Sequence, residues 1–398
     1  HLDYPLKCVL YYPQVKEKPF YTPGAHGMTN LAESLDKLTI EGDLYESMEN
    51  GSVVCTACGH RCMIREGRRG ICQVRFNENG VLRVPWGYVA ALQVDPIEKK
   101  PFFHILPGSD ALTFGMLGCD FHCSYCQNWL SSQTLRDPAS NRSINYIQRI
   151  SPEQIVSYAK RSGAGVIASS YNEPLITSEW SVSIFKQAQQ SGIKCVYVSN
   201  GNATPEVLGY LKPYLVGYKI DLKTMQDKQY RKLGGVLNNV LDSIRLAHDL
   251  GLFVEIVTLV VPEFNDSTSE LMDAGRFIAS VSNDIPWHVT AFHPDYKMTE
   301  PPPTSVDTLI RAAEIGQEAG LKYVYAGNIP GRTREYENTF CPNCSATLIE
   351  RYSYVIQGYH LTVEGKCPKC GTKIPGIWTE HPGQVRLGGP GMPRPAGW

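Results

Sequence analysis

The sequence predicts an α/β protein whose central part is a partial barrel of parallel strands with a cysteine-rich region on either side. Two observations lead to this prediction. From residue 111 onward, short apolar runs alternate with amphipathic stretches, and such alternation produces a parallel sheet with right-handed crossovers. Eleven of the 13 cysteines fall into three groups with the spacing of metal ligands, placed before, at the start of and after the alternating region.

The alternating region divides into seven predicted strands and six predicted helices. The strands are predicted at 111–116, 165–169, 194–199, 216–222, 253–261, 287–292 and 323–325. The helices are predicted at 152–162, 178–190, 205–211, 237–250, 267–281 and 305–319. Gly192, Gly251 and Gly320 follow three of these helices, where glycine commonly ends a helix. Six or seven such units form a (β/α)6-type barrel, which is incomplete compared with the eightfold one.

The flanking segments carry weaker signals. We expect a strand at 6–12, a helix within 31–48, and a hairpin whose arms, 73–76 and 81–88, flank Asn77-Glu-Asn-Gly80. The last 18 residues are rich in Pro and Gly, and we expect a tail that is mobile or ordered only by contact. The predicted parts are an N-terminal extension (1–54), a four-cysteine region with the hairpin (55–105), the barrel (106–335), a second four-cysteine domain (336–380) and the tail (381–398).

Composition excludes several classes of protein. The formal net charge of −1 argues against a broad nucleic-acid-binding or membrane-surface field. The basic run Arg61, Arg65, Arg68 and Arg69 is predicted to be an ordinary solvated face. No apolar run approaches 18 residues and no signal peptide is visible, so we expect no membrane span. Because thiolate–metal sites need a reducing compartment, we expect a cytoplasmic protein.

The cysteines in the middle of the chain carry the most specific signal. Cys119, Cys123 and Cys126 have the spacing C-x3-C-x2-C, with the aromatic Tyr125 before the third. A [4Fe–4S] cluster normally takes four thiolates, so three thiolates leave one iron open for S-adenosylmethionine (SAM). Structural zinc loops usually come as two C-x2-C pairs instead. The pattern therefore predicts an iron–sulfur cluster with one open iron.

This loop resembles that of the radical SAM superfamily. Over about residues 50–380 the chain is similar to the AmmeMemoRadiSam-system radical SAM proteins, relatives of the activating enzymes of glycyl radical enzymes such as pyruvate formate-lyase. Besides the cluster loop, the resemblance is carried by Cys55-Thr-Ala-Cys-Gly-His-Arg-Cys62, Gly67-Arg-Arg-Gly-Ile-Cys72, Asp95-Pro-Ile-Glu-Lys-Lys-Pro101, Tyr171-Asn-Glu-Pro174 and the C-terminal cysteine pairs. It implies a partial barrel, SAM as cosubstrate and a one-electron donor of the ferredoxin or flavodoxin type. It does not supply the substrate.

The resemblance also implies SAM contacts at the carboxyl ends of the strands, where parallel α/β folds bind ligands. Asn172 and Glu173 would bind the methionine amino group. Since Tyr171-Asn172 replaces the usual glycine pair, either the backbone or the Asn172 side chain would make the contact. Asn200, in Ser199-Asn-Gly-Asn202, would lie near SAM, and His293 near its adenosine. Tyr125 is also assigned to the SAM site.

Charged residues mark two further places. Alternation puts Lys219, Asp221 and Lys223 on one face of the fourth strand. Three charges facing a barrel interior need either a ligand or one another, and both alternatives stay open. The segment Asp95–Pro101 is predicted to line the active-site mouth or to act as a linker.

The C-terminal cysteines predict a closed site. Cys341, Cys344, Cys367 and Cys370 form two C-x2-C pairs, which are typical of a tetrahedral structural metal site. Zinc is favoured, although rubredoxin-like iron uses the same four thiolates.

The N-terminal quartet is less regular. Cys55, Cys58, Cys62 and Cys72 have the spacing C-x2-C-x3-C-x9-C, which fits zinc or a fully ligated auxiliary [4Fe–4S] cluster. His60 would replace one cysteine or donate a hydrogen bond to a ligand.

We interpret the chain as a radical SAM enzyme that makes a 5′-deoxyadenosyl radical for hydrogen abstraction. No further catalytic residue is assigned. One alternative is a radical SAM-type methyltransferase, for which Cys195 would have to lie near SAM, although its strand points it to the far end. Another is a non-enzymatic metal-binding scaffold. A barrel of six or seven strands predicts a lateral gap for a bulky or protein substrate, unless a flanking region covers it.

Overall fold

The N-terminal region is built of short strands. The computed structural model describes residues 30–389 and 391–396, so the predicted strand at 6–12 lies outside the described residues. Helix α1 (Leu31–Asp36) begins at Asn30, whose side chain accepts from the Ala32 N–H. The strands that follow are β1 (Thr39–Glu41), β2 (Tyr45–Ser47), β3 (Val53–Cys55), β4 (Met63–Ile64), β5 (Phe76–Glu78), β6 (Val81–Pro85) and β7 (Tyr88–Val89). The prediction of a helix within 31–48 is wrong beyond Asp36, because β1 pairs with β6 and β2 with β3.

A hairpin forms at the predicted place from β5 and β6, which pair antiparallel, but its first strand is Phe76–Glu78 rather than 73–76 and so includes two residues of the predicted turn. Asn79 and Gly80 have φ angles of 55° and 77°, the left-handed region that a tight Asn-Gly turn requires. The Asn77 side chain accepts from the Gly80 N–H at 2.9 Å and closes the turn.

The central sheet has seven parallel strands and two antiparallel ones. Its strands before the C-terminal domain are β8 (Ala91–Pro96), β9 (Asp110–Gly115), β11 (Val166–Ser169), β12 (Lys194–Ser199), β13 (Gly217–Asp221), β14 (Phe253–Val260), β15 (Trp287–Ala291) and β16 (Val324–Gly327). The short strand β10 (Gln148–Arg149) lies outside this sheet and pairs with β7. From β9 to β16 the order follows the chain, and β8 adds antiparallel to β9. The sheet ends at β16 without closing on β9, which confirms the partial barrel.

The helices connect the parallel strands. They are α2 (Trp129–Ser132), α3 (Pro152–Ser162), α4 (Ser178–Gln190), α5 (Pro205–Leu211), α6 (Asp227–Lys232), α7 (Leu237–Asp249), α8 (Thr268–Val281) and α9 (Val306–Glu318). Ser151 and Gln154 form a capping box at the start of α3, and Gly163 ends it with a φ of 72°. Among the helices of the described residues, none is long and apolar enough to cross a membrane.

Burial on both faces explains why the barrel strands are apolar runs in the sequence. Every residue of β9 and β11 is buried, as expected for parallel strands covered by helices. Trp287 of β15 and Trp180 of α4 are among the largest fully buried side chains. The predicted strands and helices of the barrel agree with the structure to within one or two residues at each end.

The C-terminal part folds back onto the barrel. Strands β17 (Thr339–Phe340), β18 (Thr347–Tyr352) and β19 (Val355–Tyr359) form an antiparallel sheet, and β20 (Arg394–Pro395) pairs with β8. Arg386 and Arg394 both bind the Asp110 carboxylate, Arg386 at 2.8 Å. The described part of the tail is therefore ordered by contact with the barrel edge.

Candidate active site

The three-cysteine loop lies at the carboxyl end of the first parallel strand. Cys119 comes four residues after β9, and Cys123 and Cys126 follow in the same loop. Gly118 has a φ of 97°, and a Cβ there would meet Val74 at 2.9 Å, so this turn requires glycine. The Phe121 N–H donates to the Cys119 sulfur at 3.3 Å, and the Ser132 hydroxyl lies 3.2 Å from the Cys126 sulfur.

The three thiols fit an iron–sulfur cluster better than a single ion. Burial raises the pKa of Cys119, Cys126 and Cys123, that of Cys123 to about 12, so bound iron would be needed to hold them as thiolates. In the part of the chain that the structure describes, their sulfurs are not all within the 4.8 Å of one another that a single ion favours. A cluster spreads its thiolates more widely because four irons and four sulfides lie between them.

A cavity of about 310 Å³ opens beside this loop, at the carboxyl ends of the strands. Cys123, Tyr125 and Cys126 line it from the cluster loop. Both flanking regions also reach it. Its walls from outside the barrel strands include Glu98, Lys99, Lys100, Phe103, Glu337, Ser353 and Tyr354. The cysteine loop, the barrel and the C-terminal domain therefore share one chamber.

The predicted charged face of β13 forms one wall of this cavity. Lys219 and Lys223 both donate to Asp221, Lys223 at 3.3 Å. Burial would raise the pKa of Asp221, but the charges of Lys219 and Lys223 hold it below its usual range. The structure therefore shows these charges paired with one another. The pairs lie in the cavity wall, where a bound ligand would contact them.

The segment Asp95–Pro101 lines the cavity mouth rather than acting only as a linker. Asp95 pairs with Lys99 at 2.9 Å and Lys100 at 2.7 Å, and it accepts from the Tyr171 hydroxyl at 2.5 Å. Burial would raise the pKa of Asp95, but the charges of Lys100 and Lys99 hold it well below its usual range. Lys100 also lies 4.3 Å from the Tyr171 ring centroid, which ties this segment to the loop after β11.

Two other acidic side chains belong to this region: Glu255, which was not predicted and lies behind the cavity-lining His288, and Glu98, which is part of the segment predicted at the mouth. The first, Glu255, accepts from His288 at 2.7 Å and from the Phe103 and His104 N–H groups at 3.0 Å each. The second, Glu98, accepts from the Gly108 N–H at 2.8 Å. Burial raises the pKa of Glu98 to about 7. Alternation along β14 and β15 could have predicted that Glu255 and His288 lie on an inner face, but not that His288 lines a cavity.

The residues expected to contact SAM at the second and third strand ends are buried and do not line the cavity. Asn172 accepts from the Met116 N–H at 3.0 Å. Glu173 accepts from the Ser199 hydroxyl and from the Asn200 N–H, both at 2.7 Å. Glu173 therefore joins the loops after β11 and β12. Burial, and next to it the charge of Asp120, raise the pKa of Glu173 to about 8.

His293 stands apart from that group. Its Nε2 lies 2.9 Å from the amide nitrogen of Gln127, the residue after Cys126. It therefore contacts the cluster loop, whereas it does not line the cavity.

Asp120 is a functional candidate that sequence reasoning missed. Its carboxylate is fully buried and accepts from the Asn200 and Asn202 side-chain amides at 2.7 and 2.8 Å. His60 Nδ1 lies 3.6 Å away. Burial would raise the pKa of Asp120, but hydrogen bonds from His60, Asn202 and Asn200 hold it below its usual range. Its position next to Cys119 was the one available signal.

The four C-terminal thiols form a compact site. The sulfurs of Cys341 and Cys370 are 3.5 Å apart, those of Cys344 and Cys367 3.6 Å, and all four lie within 4.8 Å of one another. A tetrahedral ion with metal–sulfur bonds of about 2.3 Å places its sulfurs about 3.8 Å apart. These residues therefore fit one metal ion with no open position.

The N-terminal quartet is arranged differently. Cys55, Cys58 and Cys72 are buried and Cys62 is partly exposed. Within the described residues the four sulfurs form no compact group, and the compact set here is Cys58, His60 and Asp120. His60 Nδ1 lies 3.6 Å from the Cys58 sulfur, so this histidine stands between the quartet and the cluster loop.

Comparison with known proteins agrees with the fold and the site, which together define an iron–sulfur enzyme of the α/β-barrel class. The model of the Radical SAM superfamily matches residues 114–275. An uncharacterized protein of Methanocaldococcus jannaschii is 40% identical over 337 residues, which are 84% of this chain and 98% of that protein. The chain belongs to the radical SAM superfamily.

Weaker similarity extends to activating enzymes. The pyruvate formate-lyase-activating enzyme of Staphylococcus epidermidis is 27% identical over 186 residues, 44% of this chain and 72% of that enzyme. A domain of the corresponding enzyme from Bacteroides vulgatus covers 40% of this chain and 98% of its own, at 18% identity and a TM-score of 0.36. The sequence match to the Staphylococcus epidermidis enzyme makes the chain a homologue of these activating enzymes.

Proposed function

We propose that this chain cleaves SAM reductively and uses the resulting radical to abstract hydrogen from a substrate held in the cavity. The chemistry that a [4Fe–4S] cluster on Cys119, Cys123 and Cys126 supplies, when bound, is one-electron cleavage of SAM to methionine and a 5′-deoxyadenosyl radical. The electron comes from a donor of the ferredoxin or flavodoxin class. The observation that carries the proposal is that Cys123 and Cys126 line the same cavity as the charged face of β13.

The chain's own residues would bind and orient SAM. Asp221 offers a carboxylate to the methionine ammonium group, and the neighbouring Lys219 and Lys223 offer charge to its carboxylate. Tyr125 is buried in the cavity wall with its ring edge against Phe264, where it would keep water away. We assign Asn172, Glu173 and Asn200 to shaping the loops that meet SAM, and His293 to positioning the cluster loop through Gln127.

The size of the cavity bears on the substrate. A volume of about 310 Å³ is at the small end for ligand sites, and SAM would share it. Lys100 and Tyr354, which come from the two flanking regions, both line this cavity. We therefore propose that the reacting part of the substrate is compact, a small molecule or one side chain of a protein loop, rather than an extended chain.

The two alternative functions, a radical SAM-type methyltransferase and a non-enzymatic metal-binding scaffold, have less support. Cys195 is the second residue of β12, at the strand end away from the cluster loop, so it does not suit methylation by a two-cysteine mechanism. A scaffold without activity leaves the cavity beside the cluster loop unexplained. Since the thiolate sites need a reducing compartment, we place the enzyme in the cytoplasm.

Anaerobic incubation of the reconstituted, reduced protein with SAM tests the proposal. We expect 5′-deoxyadenosine and methionine in equal amounts. Protein loaded with iron and sulfide that binds SAM but forms neither product would overturn it.

A further inference from the structure

The N-terminal quartet has a place in the fold that the SAM-cleaving site does not explain. Cys55 ends β3, Cys58 and Cys62 lie in the turn between β3 and β4, and Cys72 lies in the loop before β5. The Cys55 N–H donates to the Cys62 carbonyl at 3.0 Å, which folds this turn back on itself. This turn therefore brings the backbones of Cys55 and Cys62 together.

Contacts bring the loop that carries Cys72 close to the sulfur of Cys62. The Ile71 N–H, next to Cys72, donates to the Cys62 sulfur at 3.4 Å. A Cβ on Gly70 would lie 3.6 Å from the same sulfur. Within the described residues, the four sulfurs are not packed as closely as those of the C-terminal site.

A buried cation lies beside this loop. The Arg75 guanidinium is 1% exposed and makes two bonds to Glu179, at 2.7 and 2.8 Å. The Arg75 carbonyl accepts from the Gly70 N–H at 2.8 Å, so Arg75 lies against the loop that carries Cys72. Its Nε–H is buried and has no hydrogen-bond partner among the described residues. A buried donor without a partner is costly, and a sulfur would accept from it.

We propose that Cys55, Cys58, Cys62 and Cys72 hold a second [4Fe–4S] cluster. Among the described residues, neither these four sulfurs nor those of the cluster loop form a compact single-ion group, whereas the C-terminal four do. On binding, the four thiols lose four protons and bind iron through sulfur. Arg75 offsets part of the negative charge, and the Ile71 N–H donates to the Cys62 sulfur at 3.4 Å. Hydrogen bonds to sulfur are a feature of such clusters.

Four thiolates leave no iron open, so this cluster does not bind SAM. It carries electrons or braces the region, and its contact with the SAM-cleaving site runs from Cys58 through His60 to Asp120, the neighbour of Cys119. The inference goes beyond the proposed function, because a second cluster would exist whether or not SAM is cleaved.

Acid-labile sulfide separates this cluster from zinc. We expect anaerobically reconstituted protein to hold about eight sulfides per chain, and the Cys119→Ala/Cys123→Ala/Cys126→Ala variant about four. The C-terminal site, as a single-ion site, adds none. The reduced triple variant should also give an electron paramagnetic resonance signal that SAM does not change. A triple variant that folds by circular dichroism but holds zinc and no sulfide would overturn the proposal.

Two further variants complete the test. Cys55→Ser/Cys72→Ser should lower the sulfide of the otherwise unchanged chain to about four per chain. Cys195→Ala, which removes a buried cysteine outside the three groups, should leave about eight. If the serine variant fails to fold, the sulfide count of the triple alanine variant still decides the question.

Discussion

His60 and Asp120 meet across the boundary between the N-terminal cysteine region and the cluster loop, with His60 Nδ1 3.6 Å from the Asp120 carboxylate. The Nε2 of the same histidine donates to the Gly234 carbonyl at 2.7 Å, and the Asn202 amide nitrogen lies 3.1 Å from its Nδ1. Asn202 in turn binds Asp120. One buried polar network thus holds the quartet, the cluster loop and the third strand end together.

Asp120→Asn tests that network. An asparagine would turn an amide toward the amide donors of Asn200 and Asn202, leaving a buried donor without an acceptor. We expect the free energy of unfolding to fall by about 1–3 kcal/mol, measured by denaturant titration under anaerobic conditions. Asp242→Asn is the matched control, because Asp242 is 75% exposed and should change stability by less than about 0.5 kcal/mol. Equal effects of the two changes would contradict the account.

Glu173→Ala tests the strand ends that would meet SAM. The change removes the acceptor for the Ser199 hydroxyl and the Asn200 N–H, so two buried donors lose their partner. We expect SAM binding, measured by anaerobic calorimetry, to weaken by about 1.5–3 kcal/mol. Glu318→Ala, an exposed change at the end of α9, should leave the dissociation constant unchanged. If Glu173→Ala also leaves it unchanged, Glu173 has no part in the SAM site.

The C-terminal site should hold one metal ion that is structural. X-ray absorption should give four sulfur neighbours at about 2.3 Å, and Cys341→Ser should lower the metal content and destabilise β17–β19. The nature of the metal, zinc or iron, is read from the same spectrum. An exchangeable water bound to this metal would show an open position and contradict a structural role.

Glu98 should make stability depend on pH. Burial raises its pKa to about 7 in the folded chain, above its ordinary value of 4.5, so its contribution is fully present below pH 4.5 and is lost as the pH rises through 7. Glu98→Gln keeps an acceptor for the Gly108 N–H but does not ionise. We expect the melting temperature of this variant, relative to the parent, to rise between pH 5 and pH 8. A difference that stays constant over this range would mean that Glu98 does not ionise there.

Much of the fold could be predicted because local signals and tertiary structure agree in the barrel. The predicted helix 152–162 begins and ends as the structure has it, since Ser151 and Gly163 cap it. The helix predicted within 31–48 was wrong after Asp36, because pairing of β1 with β6 overrides a weak periodicity. In such segments the long-range pairing of strands determines the secondary structure, and a single sequence does not show that pairing.

The candidate site could be predicted from the sequence more readily in its cysteines than in its acids. Spacing alone indicated Cys119, Cys123 and Cys126, of which the last two line the cavity, and alternation indicated that Lys219 and Asp221 share a face. Nothing in the sequence shows that Asp120 faces His60, because the two residues come from loops 60 positions apart and meet only once the barrel has formed.

The most direct test of the account is 5′-deoxyadenosine formation by three anaerobically reconstituted, reduced proteins. The parent chain and Cys195→Ala should form it from SAM at similar rates, because Cys195 lies at the far end of β12. Cys119→Ala/Cys123→Ala/Cys126→Ala should form none, although it folds and keeps its C-terminal metal. If the triple variant forms 5′-deoxyadenosine at the rate of the parent, the three cysteines do not hold the cluster that cleaves SAM.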